Sequence, residues 1–282
     1  MTAVTPVRAL LICARQELVL AIRSRWTQIF AAAFAALSLA VAVSGYVLSG
    51  GSGIQDFART AASLVQIVIL LVPLTALMLG ALTLASDRGN AELLFSQPVS
   101  RGTILAGRVL GLFEALVSAQ ALGFGAAGLV IYSQAGEDGI AGFFVVVAAA
   151  FVLTGVCLSL AAFIAAGNIG RRRSRALAVA LVVWLVLVVL ADLAALGAAS
   201  LLRSGAASRL LIGAAIVNPV GAVRTAALLL IEGTAAFGSA SLALLRFAGG
   251  PVRAALLLGG SLALWLVLPL LLAARRLSRA DI

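Results

Sequence analysis

The sequence predicts an all-α, polytopic membrane protein: six transmembrane helices, an amphipathic N-terminal elbow helix, and a long external loop before the last span. Three observations lead there. Of 282 residues, 63% are hydrophobic and 11% charged, against about 25% charged in an ordinary soluble domain. The apolar residues fall in uninterrupted runs, and a helix crossing the hydrocarbon core needs about 20 of them. The charged residues gather mainly between the runs, which is where a bilayer would place them. The whole chain, 1–282, reads as one transmembrane domain.

Residues 7–26 hold too many charges to span. At helical spacing Leu11, Ala14, Leu18 and Ala21 share one face and Arg8, Arg15, Gln16 and Arg23 another, with Glu17 departing from the division. Such a helix beside a span is expected in the headgroup layer, apolar face down. The spans follow at about 27–49, 62–85, 109–133, 140–167, 176–199 and 254–273. Ala32, Ala36, Ala40 and Ser44 set small residues along one face of the first span, a pattern that permits close helix approach and marks a dimer contact candidate. Gly107 and Gly111 can ease packing in the same way at the entry to the third span.

Between the second and third spans, the segment 86–102 cannot cross the bilayer, because it carries Asp87, Arg88, Glu92 and Arg101. Gly89-Asn90 signals a turn, 91–96 can form a short helix, and Pro98 interrupts it. Ser100 is placed to cap the helix leading into the third span. The result is a stiff elbow presenting Leu93, Leu94 and Phe95, and three consecutive apolar residues in a solvent loop suit a protein groove or a membrane surface. In the segment 200–253, the apolar stretches 210–217 and 222–231 are short for spans, and Asn218-Pro219 and Gly221 break them. They read as external or re-entrant half-helices.

Arginine counting sets the orientation. Fourteen of the 20 lie on the side of the two termini: Arg8, Arg15, Arg23, Arg25, Arg88, Arg101, Arg108, Arg171, Arg172, Arg173, Arg175, Arg275, Arg276 and Arg279. The short loops opposite carry only Arg59, so both termini are expected in the cytoplasm. The same pattern explains the net charge of +10 without nucleic acid, since no soluble portion remains to bind it.

What the chain lacks narrows its chemistry. Every basic residue is arginine, with no lysine and no histidine. A phosphate loop of the Walker type needs a lysine, so ATP hydrolysis by this route is excluded. Without histidine there is no catalytic triad of the Ser-His-Asp kind and no histidine-held zinc. Cys13 and Cys157 lie far apart, and Met78 is the only methionine beyond Met1, which leaves no soft-metal site. No catalytic residue, metal ligand or cofactor is expected. An intramembrane hydrolase would need the acid pair or histidine this chain lacks, and a secondary transporter or channel working without ATP remains the alternative. Polar residues within the spans mark candidates for a pathway: Gln66, Glu114, Gln120 and Asp192.

The segment Gly89, Glu92, Leu93, Leu94, Pro98, Val99, Ser100 and Arg101 resembles the coupling region of ABC-2-type permeases. So does the continuation Gly107-Arg108-Val109-Leu110-Gly111. The N-terminal Arg15-Gln16-Glu17-Leu18 and Arg23-Ser24-Arg25-Trp26 are similar to that family's elbow helix. Relatives often carry several acids before the glycine, where this chain has only Asp87. The resemblance implies a permease that dimerises and receives two copies of a separate cytoplasmic ATPase. Asp87, Arg88, Gly89, Glu92, Leu93, Leu94, Phe95, Pro98, Val99, Ser100 and Arg101 would form the contact. It also implies the bacterial inner membrane. The run Phe57-Ala58-Arg59-Thr60-Ala61-Ala62-Ser63-Leu64, the Leu-Val-Pro-Leu of 71–74, and Asn218-Pro219 with Arg224 resemble the membrane subunit of exporters serving nitrous-oxide reductase maturation. That subfamily implies copper-site assembly with a periplasmic accessory protein, for which Arg203, Arg209, Asn218, Pro219 and Arg224 are the candidate contacts.

Overall fold

The computed structural model describes residues 5–47, 54–85, 99–135, 140–168, 172–232 and 239–279, and among these the regular structure is entirely helical. Six helices are long and apolar enough to cross a membrane: Arg25–Gly45, Thr60–Leu84, Arg101–Ser133, Ala141–Ala166, Arg173–Ser200 and Pro251–Ser278. Several run past their apolar stretches. The third begins at Arg101 rather than near residue 109, and the last continues to Ser278 rather than ending at 273. Arginine is a good helix former, and the headgroup layers outside the ~30 Å hydrocarbon core tolerate charge, so a helix need not stop where hydrophobicity does.

The chain enters through α1 (Pro6–Arg23), with Pro6 in the first turn, where its missing N–H is no loss. One extended residue, Ser24, separates it from α2 (Arg25–Val47). The Ser24 N–H donates to the Ala21 carbonyl at 3.1 Å and the Gln28 amide to the Ile22 carbonyl at 3.2 Å, which uses carbonyls left over at the end of α1. The elbow thus turns at Ser24, and Arg25 and Trp26 open the first span instead of closing the amphipathic helix.

The centre is built from α2, α3 (Ile54–Leu84), α4 (Arg101–Ala135) and α5 (Ile140–Ala166). Phe34, Leu64, Leu77, Leu112, Leu116, Phe124, Leu153 and Leu158 are fully buried there. Phe30, Phe34, Phe124 and Phe143 form a chain of rings across α2, α4 and α5, with successive centroids 5.6, 5.0 and 5.9 Å apart. Lipid tails are as apolar as leucine, so this interlocking, rather than expulsion of water, holds the helices together.

Downstream, α6 (Arg173–Leu185) continues through a π-helical turn, Val186–Leu190, into α7 (Ala191–Ser200). Then come the half-helices α8 (Ser204–Val217) and α9 (Pro219–Glu232), bent by 102° at their junction, followed by α10 (Ser239–Ala248). Gly249 has φ of 78° and the Gly250 N–H reaches back to the Leu245 carbonyl at 2.9 Å. This left-handed close of α10 is one that glycine adopts without strain. Pro251 then starts α11 (Pro251–Ser278).

Two prolines lie inside spanning helices, Pro73 in α3 and Pro269 in α11. Each removes a backbone donor and opens its helix one turn earlier. At both, the carbonyl three residues before the proline receives a donor from another helix. Trp184 Nε1 donates to Leu70 at 3.2 Å, and Ser159 Oγ donates to Leu266 at 2.6 Å. The carbonyls that the prolines themselves release lie four residues before, at Ile69 and Trp265; the two bonds sit one residue further on and tie α3 to α6 and α11 to α5.

The break between α8 and α9 is closed by the same logic. Ser261 Oγ donates to the Ile216 carbonyl at 2.5 Å and Trp265 Nε1 to the Val217 carbonyl at 2.8 Å. Asn218 is buried; its amide donates to the Leu187 carbonyl in the π-turn at 2.7 Å, and its Oδ1 accepts from the Val220 N–H at 3.1 Å. Both α11 donors sit midway along that helix, so the tip of the bent pair lies level with its middle. The half-helices therefore have the re-entrant or broken-span form.

Candidate functional site

The segment 86–98, with Asp87, Arg88, Gly89, Glu92, Leu93, Leu94, Phe95 and Pro98, lies outside the described residues, but both of its flanks are defined. On the outgoing side Ser100 caps α4. Its Oγ accepts the Thr103 N–H at 3.2 Å and lies 2.6 Å from the Thr103 hydroxyl. Val99 is half-buried beside it. Arg101, the first residue of α4, donates to the Leu277 carbonyl at 3.0 Å, so the start of α4 is tied to the last turn of α11. A cation at a helix C-terminus meets both free carbonyls and the negative end of the helix dipole.

Two turns further on, Arg108 donates through Nε to Glu17 Oε2 at 2.9 Å and through a terminal nitrogen to the Thr83 carbonyl. A single guanidinium therefore joins the elbow helix, the end of α3 just before the segment, and the start of α4 just after it. The pair is largely out of solvent, with side-chain exposures of 17% for Arg108 and 9% for Glu17. Arginine suits the position because its planar fork serves two acceptors in fixed directions.

α1 can reach Arg108 because α4 offers glycine beneath it. A Cβ at Gly107 would stand 2.7 Å from both the Cys13 Cβ and the Leu10 carbonyl oxygen, and one at Gly111 would stand 2.1 Å from the Ala14 carbonyl oxygen. The face of α1 that packs is therefore Ala9, Ala14, Glu17 and Ala21. The face expected from periodicity to meet the membrane is thereby divided. Ala14 and Ala21 are buried, but Leu11 is 57% exposed together with Ile12, Leu20 and Ile22, and Glu17 belongs to the buried side. A shallow glycine trough admits alanine where leucine is too large, and Arg108 compensates the buried carboxylate. Neither Glu17 nor Arg108 stood among the expected site residues; the one signal was a lone acid on an otherwise basic helix.

The four pathway candidates have four different surroundings. Gln66 on α3 and Glu114 on α4 are exposed on the outside of the chain. Gln120 is fully buried, its amide donating to Thr154 Oγ1 at 2.8 Å while its Oε1 has no partner among the described residues. Asp192 accepts from Arg224 at 2.7 Å, and the two line a cavity of about 370 Å³ between α7, α8, α9 and α10. Arg224, expected to face an external partner, holds this ion pair with its side chain 31% exposed. Asn218 and Pro219, expected in the same role, are buried in the joint and offer no surface to dock on. Arg203 and Arg209 are exposed, as docking would require. Among the described residues, no three His, Cys, Asp or Glu side chains gather as a metal site would need.

Membrane-crossing helices, with a basic elbow helix joined through Arg108 to the two spans that flank residues 86–98, define a multi-pass membrane protein. The family model for ABC-2 family transporter proteins matches residues 11–282, and the chain belongs to that family. It is similar to the "Probable ABC transporter permease protein NosY" of Pseudomonas aeruginosa, 34% identical over 262 residues covering 91% of each chain. The protein of the same name from Stutzerimonas stutzeri is 32% identical over 268 residues, covering 92% of this chain and 94% of that one. The chain is accordingly a permease, the membrane subunit of an ABC transporter, and such a permease works with an ATPase partner.

Proposed function

We propose that two copies of this chain form the transmembrane unit of an exporter in the bacterial inner membrane, with both termini cytoplasmic. Two copies of a separate ATPase engage the 86–102 segments. The assembly serves copper-site maturation of nitrous-oxide reductase outside the membrane together with a periplasmic accessory protein, a role suggested by the names of the relatives. The observation that carries the coupling part is the junction at Arg108. Nucleotide-driven closure displaces a rigid body, and a loop transmits displacement only if its ends are fixed to the elements that must move. Arg108 and Arg101 fix them to α1, α3 and α11.

In this reading Leu93, Leu94 and Phe95 enter a groove of the ATPase, flanked by Glu92, Arg88 and Asp87, while Gly89 and Pro98 shape the turn. The exposed Ala32, Ala36, Ala40 and Ser44 of α2 offer a face for the second copy. Gln66 and Glu114, polar and exposed within spans, are costly against lipid and suit a cavity between two copies. Arg203 and Arg209 remain for the accessory protein, and copper ligands belong to partners, since this chain has so few soft donors.

Replacing Leu93 and Leu94 together with aspartate is expected to abolish co-purification of the ATPase while membrane insertion persists. Undiminished co-purification would remove the segment from the coupling role. ATP-independent flux through the purified chain in liposomes would instead favour a secondary transporter or channel.

A further inference from the structure

A groove of about 620 Å³ runs along the outer face of α11, walled by Leu160 and Phe163 of α5 and by Val217 at the break, and floored by Leu264, Leu268 and Leu272. Its polar groups are spent: the Ser261 hydroxyl and the Trp265 indole N–H both donate to carbonyls of the break. What remains is a hydrocarbon surface within a membrane span.

One end of this groove is not hydrocarbon. The α11 stripe 264, 268, 272 continues at helical spacing to Arg275, Arg276 and Arg279, all exposed. The Arg276 guanidinium lies 4.1 Å above the ring of Phe163, a wall residue, and so roofs that end. No carboxylate among the described residues pairs with any of the three arginines. From Trp265 to Arg276 is 11 residues of helix, about 16 Å at 1.5 Å per residue. That matches half of a ~30 Å hydrocarbon core, the depth of a single leaflet.

We propose that this groove is a binding site for an anionic phospholipid. Its acyl chain lies along Leu272, Leu268 and Leu264 as far as the α8–α9 break, and its phosphate rests on Arg275, Arg276 and Arg279. Charge complementarity selects the occupant: three cations that no carboxylate among the described residues neutralises sit at the headgroup end of an apolar trough one leaflet deep. A second copy of the chain docked by the same face would bring two such arginine clusters together, which like-charge repulsion opposes.

The test reconstitutes the full chain, with the subunits that co-purify with it, in nanodiscs of equimolar phosphatidylglycerol and phosphatidylcholine. Native mass spectrometry then counts the lipids retained. Wild type should retain phosphatidylglycerol over phosphatidylcholine, and R275Q/R276Q/R279Q should lose that preference by about tenfold or more. R275K/R276K/R279K should keep most of it, which separates charge from misfolding. Leu268→Trp, which fills the groove, should reduce retained lipid of both kinds. Equal retention of the two lipids by wild type would overturn the proposal, as would an unaltered preference in the glutamine variant. Covalent dimers formed through Leu264→Cys in native membranes would overturn it too, by placing a second copy in the groove.

Discussion

Glu17 and Arg108 stand 91 positions apart in sequence and 2.9 Å apart in space. Cutting one partner of a largely buried pair leaves an uncompensated charge, whereas replacing both with hydrocarbon is far milder. Glu17→Ala is expected to destabilise the elbow docking by about 3 kcal/mol, and E17L/R108L to recover most of that; thermal unfolding in detergent measures both. If the double variant is as unstable as the single, the pair is not an isolated charge problem. Asp192 and Arg224 are a different case, with side-chain exposures of 36% and 31%. Solvent screening holds their contribution below ~1 kcal/mol, so Asp192→Asn should leave thermal stability nearly unchanged. If the proposed maturation role holds and the cavity they line lies on its route, nitrous-oxide reductase activity in cells carrying that variant should fall several-fold, and wild-type activity would take Asp192 out of the route. Neither pairing is legible in the sequence, because local periodicity carries no information on which distant charge a side chain meets. Ser100 as a cap was legible, since a cap depends only on its own first turn.

At the scale of the element, α1 is seated by shape before charge. The backbone-to-backbone approach at Gly111 leaves no room for a side chain, so Gly111→Val should push α1 off α4. The chain supplies its own reporter: of its two cysteines, Cys157 is buried and Cys13 is half-buried beside Gly107. Maleimide labelling of Cys13 should accelerate several-fold in Gly111→Val, while an unchanged rate would mean that α1 stays seated. The sequence marked Gly107 and Gly111 as packing residues and marked α1 as amphipathic. It could not show that the two fit each other, so that Ala14 and Ala21 of the expected membrane face pack on α4 while Leu11 stays exposed. The break at Asn218-Pro219 was likewise visible as a break. Its depth depends on Ser261 and Trp265, more than 40 residues later, and so was not.

For the whole molecule, the span pattern was the most legible level, because a bilayer imposes length and apolarity on each crossing independently of the others. The ends of the helices were less so, since Arg101 and Arg275 lie within continuous helix despite their charge. If both termini face the cytoplasm, alkaline phosphatase fused after Ser200 should be active and the same enzyme fused after Ile282 inactive. The reverse pattern would invert the molecule and with it the side from which an ATPase could approach.

The cross-helix hydrogen bonds beside Pro73 and Pro269 carry a consequence for movement. Each joins two helices: Leu70 is held by Trp184 of α6, and Leu266 by Ser159 of α5. A helix sliding away from its neighbour would strip the Trp184 indole N–H or the Ser159 hydroxyl of its acceptor in hydrocarbon, at a cost of about 1–3 kcal/mol. Any working stroke therefore conserves these contacts. The parts of this permease that move together are then helix couples, α3 with α6 and α5 with α11, each pinned by its own hydrogen bond.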